Sequence, residues 1–306
     1  MKLRSVSTYA LLSVFGLGLA ACGSDSAAGE TPAVIRVSAI PDMNKSLIAE
    51  TQKKLCDYLT KKVGVEVRFE PSNDYTAAVN GLLANKLDLV WYGGVTSVEV
   101  EADAKGHAVF VATRDIDLKF KSYIIGNKDA VAAGKVGKLD SLKDLKGMAK
   151  DLTFTFGSKK STSGHIMPRH FMVEAGIDPE QDFKSPAAYS GNHSATLTQV
   201  ASGATDVGAL NYSTYDNADK AQQEQAPILY TTPFYVDYCW IGHDRLGNGT
   251  LDKIKAALLS LDASQPDEKA ILDAWGCSKF VAADSKQWDG IRSVLKALPK
   301  DFLNSK

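Results

Sequence analysis

Apolar residues recur along the chain at spacings that alternate between those of strands and those of helices. Residues 34–40 form a short apolar run typical of a strand. Residues 45–63 carry an apolar stripe at helical spacing, formed by Ile48, Leu55, Leu59 and Val63. Residues 65–69 predict a second strand, residues 75–84 a second helix, and residues 87–92 a third strand. This alternation predicts an α/β fold with a parallel sheet.

One helix–strand unit occurs twice. Residues 78–90 and residues 196–208 share the same order of helix, tight turn, aspartate and apolar strand, and each strand ends in a polar loop. Loops at the carboxyl ends of parallel strands are where open α/β sheets bind ligands. The repeat therefore predicts two similar lobes that face each other across a cleft.

The chain is expected to pass twice between these lobes. Extended segments at residues 121–126 and 228–241 predict the outward and the return crossing. Lobe 1 would then comprise residues 34–122 and 239–306, and lobe 2 would comprise residues 123–238. The second part of lobe 1 is predicted to supply three helices, at about residues 251–261, 267–275 and 288–298.

The first residues have the pattern of a targeting segment. Lys2 and Arg4 precede an apolar run that is too short to span a bilayer as a helix and is typical of a signal peptide. The run ends in Leu-Ala-Ala-Cys, which resembles a bacterial lipobox and implies attachment of lipid to Cys22. Residues 1–21 are therefore predicted to be a signal peptide, and residues 22–33 a lipidated tether. An ordinary cleaved signal followed by an incidental cysteine is the alternative.

The charge balance argues against nucleic acid as a partner. The formal net charge is −1, and loss of Lys2 and Arg4 with a signal peptide that contains no acidic residue makes it −3. A mildly acidic protein can still bind a small anion, because backbone amides at helix N-termini supply local positive potential.

A hydroxyl-rich turn is the sharpest local signal for a binding site. After the apolar residues 154–156 the chain reads Gly-Ser-Lys-Lys-Ser-Thr-Ser-Gly and then enters a predicted helix with Pro168 in its first turn. Ser161, Thr162 and Ser163 therefore crowd a helix N-terminus. Unpaired amides favour an anion there, and hydroxyl groups add donors without adding charge. The alternative is that one serine merely caps the helix.

Three segments and the whole order of elements resemble the periplasmic phosphonate-binding proteins of ABC importers. The segments are residues 161–164, residues 87–93 and residues 189–193. The resemblance covers nearly the entire mature domain. It implies a type II periplasmic-binding fold, in which two α/β lobes joined by two crossing strands close over a buried ligand. It further implies a monomer in the periplasm or at the cell surface, with an importer permease as partner and neither cofactor nor metal.

The same resemblance assigns roles to individual residues. Lobe 2 would contribute the donors to the oxyanion, namely Ser161, Thr162, Ser163, Gly164 and His193. Tyr92 matches a tyrosine that reaches across from lobe 1, and Asp237 matches a carboxylate near the return crossing. A carboxylate beside an anion is unfavourable unless it accepts a proton, so Asp237 would favour a monoprotonated ligand. The alternatives are a hinge aspartate that caps backbone and a histidine exposed at a helix start.

Two departures from the family pattern bear on the ligand. Binders of aminoalkylphosphonates carry a glutamate for the amine where this chain has Ser213, and residues 39–44 replace an aromatic-bearing loop. The latter segment and residues 188–193 also resemble a selenate-binding branch of the family. We therefore predict a small tetrahedral oxyanion, either phosphite, a phosphonate or phosphate, with selenate as the alternative.

Other function classes find less support in the sequence. No third group is spaced to orient His193 towards a serine, so an enzyme is not predicted. The five histidines are scattered, which does not favour a metal site. A sensor that feeds a membrane kinase stays open, and so does arsenite bound by Cys239. Beyond Cys22 the chain has three cysteines, which allow at most one internal disulfide: Cys56, Cys239 and Cys277.

Overall fold

The computed structural model describes residues 33–299 and 302–304, which form two β-sheets flanked by helices. Within them, strands β1 to β11 are Val34–Ala39, Glu66–Phe69, Leu89–Tyr92, Ala108–Arg114, Ser122–Gly126, Phe154–Phe156, Ala188–Tyr189, Val207–Asn211, Ile228–Thr231, Cys239–His243 and Phe280–Ala282. Helices α1 to α12 are Lys45–Val63, Tyr75–Leu83, Gly94–Asp103, Lys128–Ala132, Leu142–Lys146, Met167–Glu174, His193–Ala201, Tyr212–Asp216, Lys220–Gln225, Asn248–Leu259, Pro266–Trp275 and Asp289–Ala297.

Lobe 1 is built on the six-stranded sheet, whose order is β11-β4-β10-β3-β1-β2. Strand β1 pairs parallel with β2 and with β3, whereas β10 pairs antiparallel with β3 and β4, and β11 antiparallel with β4. Because β10 and β11 come from the far part of the chain, this lobe is assembled from two separate stretches of sequence. The predicted parallel sheet is thus confirmed for β1 to β3 and is extended by antiparallel strands.

Lobe 2 is built on the five-stranded sheet, in the order β7-β6-β8-β5-β9. Strand β6 pairs parallel with β7 and β8, whereas β5 pairs antiparallel with β8 and β9. The two repeated units of the sequence are confirmed as α2–β3 in lobe 1 and α7–β8 in lobe 2. Each places its strand inside its sheet, with a pairing partner on both sides.

The crossings between the lobes are shorter than predicted. Residues 122–126 are not a crossing segment but strand β5, which is buried throughout between β8 and β9. The return crossing is confined to the residues between β9 and β10. Phe120 and Tyr235 exchange backbone hydrogen bonds of 2.8 and 3.0 Å, and the Asp237 amide donates to the Asp117 carbonyl at 3.0 Å. The two crossings therefore run side by side and are tied together.

Helix ends follow the local sequence. Helix α1 begins after Asn44, whose side chain accepts from the Ser46 amide, and ends at Gly64, which has a φ of 80°. Asp74 accepts from the Ala77 amide at the start of α2, and Asn192 accepts from the Ala195 amide at the start of α7. These caps satisfy amides that a helix leaves unpaired. They also fix where the residues that follow them enter the cleft.

The largest apolar core lies in lobe 1 and reaches Ile166 and Met167 of lobe 2. Two smaller cores lie on either side of the lobe 2 sheet. The lobes are thus in apolar contact beside the cleft. Among residues 33–299 and 302–304, none of the helices combines the length and apolar character that crossing a membrane requires. The predicted signal peptide and Cys22 lie outside the described residues.

Candidate anion-binding site

The hydroxyl-rich turn leads from β6 into α6. Residues Thr162–Ile166 are wound as a single wide helical turn, in which the Ile166 amide donates to the Ser161 carbonyl at 3.0 Å. The Ser161 hydroxyl accepts from the Gly164 amide at 2.9 Å, so this serine caps the turn as well as facing the cleft. Ser161, Thr162 and Ser163 are all buried. The turn therefore holds three hydroxyl groups at a helix N-terminus shielded from water, where an anion is favoured.

His193 is the first residue of α7 and lies directly against this turn. Its Nδ1 accepts a hydrogen bond of 3.2 Å from the Asn211 amide, so the proton of the neutral ring resides on Nε2. Nε2 lies 3.4 Å from the Ser163 hydroxyl and 3.5 Å from the Ser161 hydroxyl. Complete burial lowers the pKa of His193 to about 3. The ring is thus an uncharged donor, and in this tautomer it does not accept a proton from a serine.

Gly164 is needed for the close approach of His193 to the turn. A Cβ atom at residue 164 would lie 2.8 Å from Cε1 of His193 and 3.0 Å from the Ser161 hydroxyl. Non-bonded carbon atoms do not approach so closely without displacing one another. The glycine predicted in the anion turn is therefore there for space, and its amide is already used by Ser161.

Asp237 closes the site from the return crossing. Its Oδ1 accepts a 2.8 Å hydrogen bond from the Gly94 amide, and Oδ2 is buried with no hydrogen-bond partner among the described residues. Burial raises the pKa of this carboxyl to about 7, Asp117 acts in the same direction, and the Gly94 amide and the hydroxyls of Thr162 and Ser163 oppose the rise. The side chain therefore faces the predicted hydroxyls and carries a proton in a large share of molecules near neutral pH.

The Thr162 hydroxyl joins the two lobes. It accepts a 2.9 Å hydrogen bond from the amide of Val95, at the start of α3 in lobe 1. Since the amide donates, the hydroxyl proton of Thr162 remains available to another acceptor. A Cβ atom on Gly93 would lie 3.1 Å from this hydroxyl oxygen and 3.2 Å from Oδ1 of Asp237, so the glycine keeps the space between them narrow.

Tyr92 does not lie where the resemblance implied. It is completely buried in β3, and its hydroxyl donates to the Ala78 carbonyl at 2.7 Å inside lobe 1. Its proton is therefore not offered to an anion in the cleft. The phenol that lobe 1 does present is Tyr75, the first residue of α2. The Tyr75 hydroxyl is buried and makes no hydrogen bond within the described residues.

Tyr75 belongs to the same group as the predicted site residues. Burial raises its pKa well above the ordinary value, the charges of Asp42 and Asp237 act in the same direction, and the side chain of Ser161 acts against it. The sequence did contain a signal for Tyr75, namely the helix cap Asp74. The cap begins helix α2 after strand β2, which places Tyr75 at the carboxyl edge of the sheet. The strand residue Tyr92 carried the family likeness and drew the prediction instead.

Asp42 is a further buried carboxyl beside the site, and the sequence did not identify it. Its Oδ2 accepts from the Tyr238 hydroxyl at 2.7 Å, and its backbone carbonyl accepts from the His193 amide at 3.0 Å. The Tyr238 oxygen in turn accepts from the side chain of Asn211 at 3.1 Å. Burial raises the pKa of Asp42 to about 6. A chain of hydrogen bonds thus runs from lobe 1 through the crossing to lobe 2.

Trp288 supports Asp237 from behind. Its indole nitrogen donates to the Asp237 carbonyl at 2.6 Å, and its ring is completely buried. The other three tryptophans, Trp91, Trp240 and Trp275, contact one another in a separate cluster of lobe 1 with ring centroids 4.9 to 5.4 Å apart.

The remaining candidate groups are committed to structural roles. His165 donates from Nδ1 to the Lys159 carbonyl at 2.7 Å, and burial lowers its pKa to about 3. Cys239 is a buried free thiol whose pKa is raised well above its ordinary value by burial, so it does not offer the thiolate that arsenite requires. Among the residues described, no cluster of three or more histidine, cysteine or acidic side chains is arranged to hold a metal ion.

The chain is similar to known substrate-binding proteins of ABC transporters. The family model for the periplasmic phosphonate substrate-binding protein of ABC transporters matches residues 37–288. The probable ABC transporter phosphite binding protein PhnD1 of Prochlorococcus marinus (strain MIT 9301) is 35% identical over 309 residues, which cover 98% of this chain and 98% of that protein. The phosphonates-binding periplasmic protein of Escherichia coli (strain K12) is 28% identical over 241 residues, 77% of this chain and 68% of that protein.

A solved structure of a relative also resembles the chain in fold and sequence. That of PhnD1 from Prochlorococcus marinus in complex with methylphosphonate has a TM-score of 0.81 and 36% identity, and the match covers 86% of this chain and 97% of that one. The predicted type II fold of two α/β lobes is thereby confirmed. This protein belongs to the family of periplasmic substrate-binding proteins of phosphonate and phosphite ABC transporters.

Proposed function

We propose that the chain captures phosphite or methylphosphonate between its two lobes and delivers it to the permease of an ABC importer. The observation that carries the proposal is the arrangement of Ser161, Thr162, Ser163 and the Nε2 proton of His193 opposite the unpartnered Oδ2 of Asp237. Hydroxyl and imidazole donors suit oxyanion oxygens, and a carboxyl suits an oxygen that shares a proton. The bound methylphosphonate of the related PhnD1 supports the same ligand class.

The buried carboxyl determines the proton content of the ligand in this proposal. Two negative charges in hydrogen-bonding contact within a water-excluded site repel strongly, so either the ligand or Asp237 must hold a proton. The pKa of Asp237, about 7, allows the carboxyl to supply that proton near neutrality. A ligand that is already monoprotonated pairs with the ionised carboxylate equally well. A fully ionised ligand facing an ionised Asp237 is the unfavourable combination.

The substituent on phosphorus is expected to be small and uncharged. The position where relatives that bind aminoalkylphosphonates carry a glutamate is Ser213 here. Asp42, a further buried carboxyl near the site, is already bonded to Tyr238. An alkylammonium group without a carboxylate partner loses several kcal/mol of hydration when it is buried. Aminoethylphosphonate should therefore bind much more weakly than phosphite or methylphosphonate.

A calorimetric panel tests the proposal. Phosphite, phosphate, methylphosphonate, aminoethylphosphonate and selenate are titrated into the protein at pH 6 and pH 8. Phosphite and methylphosphonate should bind most tightly. The complex holds one proton, shared between the ligand and Asp237. Above the pKa values of both groups the free protein and the free ligand have lost that proton, so binding must take one up from solution. Affinity should therefore fall by up to about tenfold per pH unit above neutrality. Asp237→Asn, which cannot ionise, should flatten that dependence. Selenate as the tightest ligand would show that selenate, and not a phosphorus oxyanion, is the ligand. Affinities that do not change with pH would show that Asp237 supplies no proton to the complex.

Membrane attachment through Cys22 is part of the same proposal. A lipid on Cys22 would keep the binding protein near its permease, and the polar residues 23–33 would serve as a tether. Cys22→Ser should move the protein from the membrane fraction to the soluble fraction or leave its signal peptide uncleaved. Equal partition of wild type and Cys22→Ser after a salt wash contradicts lipid attachment without touching the ligand proposal.

A further inference from the structure

A buried ion pair connects the lobes behind the anion site. Nζ of Lys160, in the turn of lobe 2, contacts Oε1 of Glu99, on helix α3 of lobe 1. The two side chains are only 7% and 13% exposed, and Oε2 of Glu99 is buried without a hydrogen-bond partner among the described residues. The pair is therefore largely removed from water in this arrangement of the lobes.

The pair sits on the two elements that meet at the site. Helix α3 begins with Gly94 and Val95, whose amides donate to Asp237 and to the Thr162 hydroxyl. Glu99 lies about one turn further along the same helix. Lys160 is two residues before Thr162 in the anion turn. A contact between Glu99 and Lys160 therefore fixes how the start of α3 is aligned with that turn.

The energetics of such a pair are asymmetric. Removing a carboxylate and an ammonium from water offsets most of their mutual attraction, so a buried pair contributes little net stability. Leaving one of them buried alone is strongly unfavourable. With the lobes apart, both side chains would be hydrated and neither would carry this penalty. The pair thus does little to drive closure but opposes any closed arrangement in which its two members do not meet.

We propose that Glu99 and Lys160 are positioning residues that admit only one closed alignment of the lobes, the one that brings Val95 to Thr162 and Gly94 to Asp237. This inference rests on the proposed binding of an oxyanion by lobe closure. It assigns to the pair an effect on how long the ligand stays bound. Neither side chain needs to touch the ligand.

A double-mutant cycle tests the proposal in the full-length protein. Glu99→Gln leaves the Lys160 ammonium buried without a charged partner, and Lys160→Met leaves the Glu99 carboxylate buried without one. The double variant leaves neither charge unpaired. Each single variant should weaken methylphosphonate binding by about 100-fold, mostly through faster dissociation, and the double variant should recover to within about tenfold of wild type. Affinity is measured by calorimetry and dissociation by stopped flow. Urea unfolding of the ligand-free variants should stay close to that of wild type, because the open form hydrates the charges.

The matched control is Glu101→Gln. Glu101 lies two residues further along α3 and pairs with Arg292 inside lobe 1, so it tests loss of an ion pair from the same helix without crossing the cleft. It should leave methylphosphonate affinity unchanged. Three results would each overturn the positioning role. The affinity losses of the single variants could add up in the double variant, or both single variants could bind as tightly as wild type. The single variants could also lose stability in the ligand-free state in parallel with their loss of affinity. If wild type itself binds no phosphorus oxyanion, the proposed function fails before the cycle begins.

Discussion

Two anion donors of lobe 2 have side chains fixed by hydrogen bonds within that lobe, whereas lobe 1 presents an amide that donates across the cleft and a phenol without a partner among the described residues. In lobe 2, Ser161 is fixed by the Gly164 amide and His193 by the Asn211 amide. In lobe 1, the Val95 amide donates to Thr162 of the other lobe, and the Tyr75 hydroxyl has no partner within the described residues. Donors fixed before binding avoid the entropic penalty of being ordered on binding.

This difference suggests an order of events. In the proposed function, a ligand that meets lobe 2 would find a preformed turn and would then be enclosed as the start of α3, Tyr75 and Asp237 arrive. Changes in lobe 2 should weaken first contact as well as the closed complex. Changes in lobe 1 should mainly accelerate release, since most affinity differences among variants of one site appear in dissociation. Three variants examine this contrast.

Gly164→Ala should have the largest effect. Its Cβ atom would lie 2.8 Å from Cε1 of His193, so the ring and the turn must move apart. Overpacking of this kind costs about 1 to 3 kcal/mol, and misplaced donors add to it, which corresponds to a loss of about 100-fold in affinity for methylphosphonate. Calorimetry measures the loss. Gly147→Ala, whose Cβ has nothing within 4 Å and whose φ is −66°, is the control in the same lobe.

An unchanged affinity in Gly164→Ala would show that His193 and the turn need not touch. The prediction that lobe 2 holds its donors in place before the ligand binds would then be wrong. A weakened Gly147→Ala would instead indicate a general loss of stability in that lobe.

Thr162→Ala should have an intermediate effect that involves both lobes. The substitution removes a donor to the ligand and leaves the Val95 amide buried without its 2.9 Å hydrogen bond. Loss of one charge-assisted bond costs about 1.5 to 3 kcal/mol, so affinity should fall about tenfold or more. Stopped-flow measurements should show slower association together with faster dissociation. Thr162→Ser keeps the hydroxyl and should bind nearly as well as wild type; equal losses in both variants would point to the methyl group rather than the hydroxyl.

Tyr75→Phe should have the smallest of the three effects and should be confined to release. It removes a lobe 1 phenol that has no hydrogen-bond partner among the described residues, and it should accelerate dissociation up to about tenfold while association is unchanged. Tyr92→Phe is the matched control, since its hydroxyl bonds Ala78 inside the lobe. It should lower the free energy of unfolding by about 1 kcal/mol and leave affinity unchanged. The reverse outcome would return Tyr92 to the site and remove Tyr75 from it.

The local sequence pattern was sufficient to predict helices and strands, but it was insufficient to predict where the chain crosses between the lobes. Helix α1 was predicted with its observed ends because an apolar stripe at helical spacing continues up to a terminal glycine, Gly64. Strand β5 was interpreted as a crossing segment because a short extended sequence such as Ser-Tyr-Ile-Ile-Gly is compatible with both. Only its pairing with β8 and β9 decides between them, and pairing is a long-range property.

The site followed the same division. The turn at Ser161 to Gly164 is local, and its residues were identified from consecutive positions in the sequence. Tyr75, Asp42 and Tyr238 come from three separate elements, and which of their oxygens meet depends on how the lobes pack. The likeness to relatives pointed to Tyr92, whose strand position is similar but whose hydroxyl turns into the core. The family likeness thus indicated which segments meet, but it did not indicate which hydroxyl groups face each other.

The indole of Trp288 allows changes at Asp237 to be observed by spectroscopy. Its nitrogen is bonded to the backbone of Asp237, whereas the other three of the four tryptophans lie in one cluster in lobe 1. Protein labelled with 5-fluorotryptophan therefore carries one fluorine reporter beside Asp237, and Trp240 and Trp275 serve as internal references. A ligand that engages Asp237 should shift the Trp288 resonance more than those of these two references, which turns the native side chain into a reporter of binding by NMR.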